Sequence, residues 1–158
     1  KRLLFTEGCQ EGGPHHGAWT LGERYARSII NDLNRWTVGW IDWNLLLDER
    51  GGPNHVGNFC SAPILADRDR GELMHQSAYW VLGHFARFIR PGACRVGAAA
   101  PPGIDATAFV DPDGRTAIVL GNRSDAALRC TLCVDAVRGT IELPPRSVAS
   151  CVVAADDH

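Results

Sequence analysis

Residues 3–7, Leu-Leu-Phe-Thr-Glu, and residues 38–44, Val-Gly-Trp-Ile-Asp-Trp-Asn, bracket a helix-period pattern, and the three together decide the fold. The first is a short apolar run that ends in a carboxylate. It reads as a strand buried on both faces, as in a parallel sheet. Between the two runs, Leu21, Tyr25, Ile29, Leu33 and Trp36 recur at intervals of four, four, four and three, one face of an amphipathic helix. The spacing therefore predicts that Trp36 packs in the core. Strand, helix, strand is a βαβ unit, which demands parallel strands and a right-handed crossover.

Residues 8–19 hold four Gly and one Pro and read as a loop. Thr20-Leu21-Gly22-Glu23 fits a capping box, with Thr20 as N-cap and Glu23 reaching back. A long polar loop is expected from about Leu47 to Ser61, containing Gly51-Gly52-Pro53-Asn54. Long ordered loops are often functional. A second helix is expected from about Gln76 to Arg90, with Ala78, Leu82, Phe85 and Ile89 along one face, and Pro91-Gly92 stops it. From Ala93 onward the pattern becomes β-rich. Strands are expected at 94–98, 105–110, 116–121, 128–134, 139–143 and 147–153. Asp111-Pro112-Asp113-Gly114 is a hairpin turn, because Pro presets one φ and Gly supplies a positive one. Such spacing points to a small antiparallel sandwich. The boundary falls near Pro91, giving an α/β part at 1–90 and an all-β part at 91–158.

The 158 residues are 45% hydrophobic and 22% charged, which excludes global disorder. Lys+Arg of 16 against Asp+Glu of 18 leaves a net charge of −2, so no strong field draws in nucleic acid or an anionic membrane. No apolar run reaches the ~18 residues of a transmembrane segment. Lys1-Arg2 precedes an apolar run that Glu7 ends too early for a signal peptide, and the single Met is Met74. The sequence is therefore expected to be part of a longer chain. Cys130-Thr131-Leu132-Cys133 lacks the second ligand pair a zinc site needs, and His15, His16, His55, His75 and His84 are scattered. No cofactor or metal is called for.

Three features stand apart from the core pattern. Glu7 closes one strand, Asp42-Trp43-Asn44 closes the next, and Asn54 and Asn58 lie in the loop that follows. The carboxyl ends of parallel strands are where active sites of α/β folds form. A carboxylate, an aromatic face and amides together suit a sugar. Each also has a plain structural reading. Glu7 pairs at a strand end, Trp is usually core, Asn54 after Gly-Gly-Pro is turn chemistry, and the sequon Asn122-Arg123-Ser124 sits in a turn. Alternation puts Trp40 in phase with Asp42 rather than with Trp43, so not all the tryptophans face one way.

Four motifs occur in order: Thr6-Glu7-Gly8-Cys9, Gly39-Trp40-Ile41-Asp42-Trp43-Asn44-Leu45, Gly51-Gly52-Pro53-Asn54-His55-Val56-Gly57-Asn58-Phe59 and Leu82-Gly83-His84-Phe85-Ala86-Arg87-Phe88-Ile89. Together, with Asp113-Gly114 and Asn122-Arg123-Ser124 continuing into the tail, they resemble glycoside hydrolase family 30, the glucosylceramidase group. The resemblance implies a (β/α)₈ TIM barrel joined to a β-sandwich and hydrolysis of β-glycosides with retention. On it, residues 1–90 look like the last two strand–helix units of the barrel and 91–158 like the sandwich. Glu7 matches the catalytic nucleophile. Trp43 matches the aromatic of the sugar subsite, Asn58 a substrate-binding loop residue, and Asp42 a neighbour counted with that subsite, which it supports. The implied partners are a β-glucoside or related glycoside, extending to a glycolipid, and the N-terminal half of the barrel.

The sequence also departs from the family pattern. The family's acid/base Glu, which follows an Asn on strand four, has no counterpart here. His55 stands where the animal enzymes carry Trp, and the loop 8–18 is short and Gly-rich, so a β-glucosidase, β-xylosidase or β-1,6-glucanase shares the motifs as well as a ceramide-directed enzyme does. The rival reading is a non-catalytic carbohydrate-binding or interaction module derived from that family. A third is a redox or zinc protein using Cys130 and Cys133.

Overall fold

A computed structural model describes residues 1–154. The chain divides into two compact units, Lys1–Leu82 and Gly83–His158. The first unit contains strands β1 (Leu3–Gly8) and β2 (Gln10–Glu11), helix α1 (Trp19–Asn34), and strands β3 (Thr37–Asp42), β4 (Leu46–Asp48), β5 (Cys60–Ser61), β6 (Ile64–Asp67) and β7 (Glu72–His75). Helix α2 (Ser77–Phe88) runs across the division. The second unit contains β8 (Cys94–Val96), β9 (Ile104–Val110), β10 (Thr116–Asn122), β11 (Leu128–Val134), β12 (Val137–Leu143) and β13 (Ser147–Val153).

In the first unit β1 and β3 pair in parallel, with α1 as the crossover. The helix buries Leu21, Tyr25, Ala26, Ile29, Ile30 and Leu33, the face its periodicity dictates. Two expectations about its ends are corrected. The N-cap is Ala18, not Thr20: the helix begins two residues earlier, so Thr20 lies in its first turn. Trp36 is not core. The helix stops at Asn34, the chain reverses through Trp36 at φ 71°, and that residue is 72% exposed. The 3.6-residue period has no meaning past the last helical residue. Gly22 matters for packing, because a Cβ there would stand 2.9 Å from the Cβ of Ser77; its absence lets α1 approach the start of α2.

The expected loop 47–61 is built into strands at both ends. Leu47 lies in β4 and Cys60-Ser61 form β5. Strand β6 pairs in parallel with β4 and antiparallel with β7, an added three-stranded sheet over a small core of Leu47, Cys60, Ala62 and Leu65.

In the second unit the order β13-β10-β9-β8 forms one antiparallel sheet and β11-β12 a hairpin. Leu128, Cys130, Leu132 and Val134 recur at every second position of β11, and all pack on the core of Ile104, Ala108, Ile118, Leu120 and Leu143. This alternation made the strands legible. Cys133, three residues from Cys130, points to the opposite, exposed side of the strand, so the two thiols cannot share a metal. The sequon asparagine is a buried staple. Asn122 Nδ2 donates to the carbonyls of Ala126, Leu143 and Pro144, and its Oδ1 accepts from Ser124.

The β9–β10 turn is organised by Asp111. Its Oδ1 accepts the backbone N–H groups of Asp113 (2.9 Å) and Arg115 (3.0 Å), and its Oδ2 lies 2.9 Å from the Arg115 guanidinium. Burial pushes this carboxyl up, but the hydrogen bonds from Arg115 and Asp113 and the Arg115 charge outweigh it and hold it below its ordinary value. A depressed folded value means that the stabilisation is fully present above the unfolded value of about 3.9 and is lost as pH falls through the folded one. Thermal stability of the protein is thus expected to fall on acidification below about pH 4. Asp111→Asn should lower the neutral-pH midpoint and flatten that acid limb. An unchanged acid limb in the variant would remove Asp111 from the account.

Among the described residues no helix is long and apolar enough to cross a membrane, and no group of three or more His, Cys, Asp or Glu side chains is placed to hold a metal ion.

Candidate functional site

The parallel pair β1–β3 ends in register. Gly8 stands opposite Asp42, and the next amide, Trp43 N–H, donates to the Gly8 carbonyl at 2.7 Å. Glu7 therefore sits at the carboxyl end of β1 directly beside the carboxyl end of β3, and it is exposed. The pairing is irregular. From Phe5 to Gly8 takes three steps on β1 but only two, Trp40 to Asp42, on β3. Phe5 and Gly8 both lie on the Trp40 side. The Phe5 ring stacks on the indole (5.0 Å, 8°), and a side chain at Gly8 would overlap it. The extra residue between them is a bulge that includes Glu7, the kind of irregularity that re-aims a side chain at a strand end.

Alternation on β3 separates its residues by role. Trp40 and Asp42 face α1. The Trp40 ring meets Tyr25 edge-on at 5.4 Å, its Nε1 donates to Asp32 Oδ2 at 3.2 Å, and Tyr25 Oη donates to Asp42 Oδ1 at 2.9 Å. Ile41 and Trp43 lie on the other face, and Trp43 is 62% exposed. Trp43 is thus available as a platform, whereas the Asp42 carboxylate is turned toward the helix and takes the Trp43 N–H on Oδ1 at 3.1 Å. Burial raises the Asp42 carboxyl, and the hydrogen bonds from Tyr25 and Trp43 pull the other way. Burial, then the neighbouring Asp42, also raises the Tyr25 phenol. The division of labour has an expected consequence in the whole protein. Trp40→Ala should cost about 3–5 kcal/mol of stability, as emptying a packed aromatic site does. Trp43→Ala should cost little stability, because its ring is already open to solvent. Equal shifts in melting temperature for the two variants would contradict this division.

The loop after β4 is pinned at its start by Asp48, whose Oδ1 accepts from Arg50 and Gly52. Its far end returns to the segment just past Glu7. Strand β5 pairs with β2, Gly13 N–H donates to the Phe59 carbonyl at 2.8 Å, and Asn58 Nδ2 donates to Glu11 Oε1 at 3.1 Å. Glu7 and Trp43 thus stand at the carboxyl end of the parallel pair, and Asn58 is tied to Glu11, four residues past Glu7. Asn54 and His55 are exposed in the loop. Glu11 was not singled out by sequence reasoning; a carboxylate four residues beyond Glu7 in a Gly-rich loop was the available signal. Cys9 lies beside this site, with its thiol pushed up to about 12 by burial and then by a hydrogen bond with Cys60. At neutral pH it is an uncharged neighbour. An exposed carboxylate, an open indole face and an oriented amide together fit a pyranose: charge for the anomeric centre, a flat surface for the ring and a donor for hydroxyls.

Residues 5–89 match the glycosyl hydrolase family 30 TIM-barrel domain, and residues 92–151 match the glycosyl hydrolase family 30 beta sandwich domain. The lysosomal acid glucosylceramidase of Mus musculus is 39% identical over 118 residues, which are 73% of this chain and 23% of that protein. The crystal structure of SrfJ from Salmonella typhimurium superposes with a TM-score of 0.92 at 33% identity, covering 99% of this chain and 36% of that one. The endo-β1,6-glucanase BT3312 superposes with a TM-score of 0.83 at 29% identity, covering 98% and 36%. The chain spans roughly a quarter to a third of the length of these relatives.

Proposed function

The chain belongs to glycosyl hydrolase family 30, with part of a TIM barrel followed by a β-sandwich, and from that premise we propose that the whole protein is a retaining β-glycoside hydrolase with Glu7 as its nucleophile. The observation that carries this reading is the exposed Glu7 carboxylate, set in a bulge at the aligned carboxyl ends of β1 and β3 beside the open face of Trp43. Residues 1–90 are taken as the barrel part and 91–158 as the sandwich. The substrate class in this reading is a β-glucoside, supported by the likeness to a glucosylceramidase and to an endo-β1,6-glucanase.

In the proposed reaction an ionised Glu7 oxygen attacks the anomeric carbon as the glycosidic C–O bond breaks, and an acid donates a proton to the departing oxygen. Water then attacks the glycosyl ester and gives its proton to the conjugate base of that acid, and the sugar leaves with its configuration retained. The second carboxyl group must stand about 5–5.5 Å from the first. Neither nearby candidate suits that part. Asp42 is turned to α1 by Tyr25, and Glu11 is engaged by Asn58. The resemblance to the family implies that the acid/base stands on another barrel strand. Trp43 presents a rigid face to the sugar and Asn58 a hydrogen bond that orients it.

A 2-deoxy-2-fluoro-β-glucoside with a good leaving group tests the reading on the whole protein. It should inactivate the protein stoichiometrically and leave its sugar on the peptide that contains Glu7. A label on a different carboxylate would overturn the assignment, and absence of any turnover of β-glycosides would favour the non-catalytic binding module.

A further inference from the structure

Helix α1 does more than cover the parallel pair. Two consecutive residues of it reach the two strand ends. Arg24 Nη2 donates to the Cys9 carbonyl at 2.8 Å, just past β1, and Tyr25 Oη donates to Asp42 Oδ1 at 2.9 Å, the last residue of β3. Tyr25 is 2% exposed, among the most buried large side chains in the chain. Its ring is held against Trp40, which is itself stacked on Phe5. A phenylalanine would fill that site equally well. The hydroxyl is therefore a polar atom carried through an apolar face, which costs free energy unless it finds a partner there.

The partner is well placed to transmit position. Asp42 Oδ1 also takes the Trp43 N–H at 3.1 Å, and that same N–H is directed at the Gly8 carbonyl at 2.7 Å. The other carboxylate oxygen, Oδ2, is buried and has no hydrogen-bond partner among the described residues. Tyr25 and the Trp43 amide are thus the two donors that fix this carboxylate. A continuous chain of hydrogen bonds runs from the helix, through Asp42 and the Trp43 amide, to the residue that follows Glu7.

We propose that Tyr25 is a positioning residue for glycoside cleavage: acting through Asp42, its hydroxyl holds the ends of β3 and β1 so that Glu7 and Trp43 keep the spacing the reaction needs. This rests on the reading of Glu7 as nucleophile. Tyr25 touches neither sugar nor reacting atoms, so its effect falls on turnover rather than on affinity.

The test is kinetic and uses the whole protein. Tyr25→Phe keeps the ring and removes one oxygen. It should lower kcat about ten-fold, the scale of one hydrogen bond lost to a buried acceptor, with KM within about two-fold. Asp42→Ala should lower kcat similarly, and the double variant should be no worse than Asp42→Ala alone, because both act through one link. Asp42→Asn keeps an oxygen for the phenol and should retain more kcat than Asp42→Ala, a comparison that does not depend on Tyr25→Phe folding well. Wild-type kcat in Tyr25→Phe, losses that simply add in the double variant, or an Asp42→Asn enzyme as poor as the Asp42→Ala one would each overturn the proposal. Glu7→Gln measured alongside separates the two layers. If it stays active, the nucleophile reading fails; if it is inactive while Tyr25→Phe turns over normally, only the role of Tyr25 fails.

Discussion

Replacing Glu7 by Gln in the whole protein is expected to lower turnover of an aryl β-glucoside by at least about 10³-fold, because the covalent intermediate can no longer form. The substitution is nearly isosteric and the side chain is exposed at a strand end, so the fold should not suffer. KM should change far less than kcat. Glu7→Gly adds a sharper criterion. The gap it leaves admits a small anion, and azide attacking the anomeric carbon from the vacated face should release an α-glycosyl azide and restore part of the rate. Rescue that yields the β-azide instead would identify Glu7 as the acid/base, since the sugar would then still pass through a covalent ester on another carboxylate. Activity near the unsubstituted level in Glu7→Gln would remove it from the chemistry altogether.

The sequence made some parts of this arrangement legible and not others, for physical reasons. The strands of the sandwich were readable because their inward residues alternate strictly, as Leu128, Cys130, Leu132 and Val134 do in β11. The face of α1 was readable because Leu21, Tyr25, Ile29 and Leu33 keep the helical period. Trp36 was misread because that period was extended one step past the helix, and a left-handed residue at a helix end leaves no periodic trace. The hairpin β6–β7 went unread because Ile64–Asp67 and Glu72–His75 are too short to build a pattern.

At the site, Glu7, Asp42, Trp43 and Asn58 could all be named from strand ends and from the resemblance. What separates them could not. A one-residue bulge in β1 and the phase of β3 decide that Glu7 and Trp43 are open while Asp42 faces α1. Alternation put Trp40 in phase with Asp42, but which face was the helix side became visible only through their contacts with Tyr25 and Asp32 of α1.

A polypeptide of these 158 residues, expressed by itself, is expected to show no glycosidase activity. Its first unit holds β1 and β3 as a two-stranded parallel sheet, whereas an eight-fold barrel closes only with eight strands. Among the described residues no further strand pairs with either outer edge of that sheet, and Leu3 at 59% and Val38 at 61% exposure show apolar surface to water. The fixed spacing that a retaining pair of carboxylates requires depends on a rigid closed barrel, and the partner of Glu7 is assigned to a strand outside this pair. Loss of a general acid alone removes about 10²–10⁴-fold in rate, before any loosening of the strand ends is counted. The second unit, with its own alternating core of Ile104, Ile118, Leu120 and Leu143, should keep more of its order. The purified chain should therefore aggregate readily, bind a dye that reports exposed apolar surface, and leave an aryl β-glucoside intact. Hydrolysis that a glycosidase inhibitor blocks and that vanishes in Glu7→Gln would overturn this expectation, and would mean that both carboxyl groups of the reaction are already present in the chain.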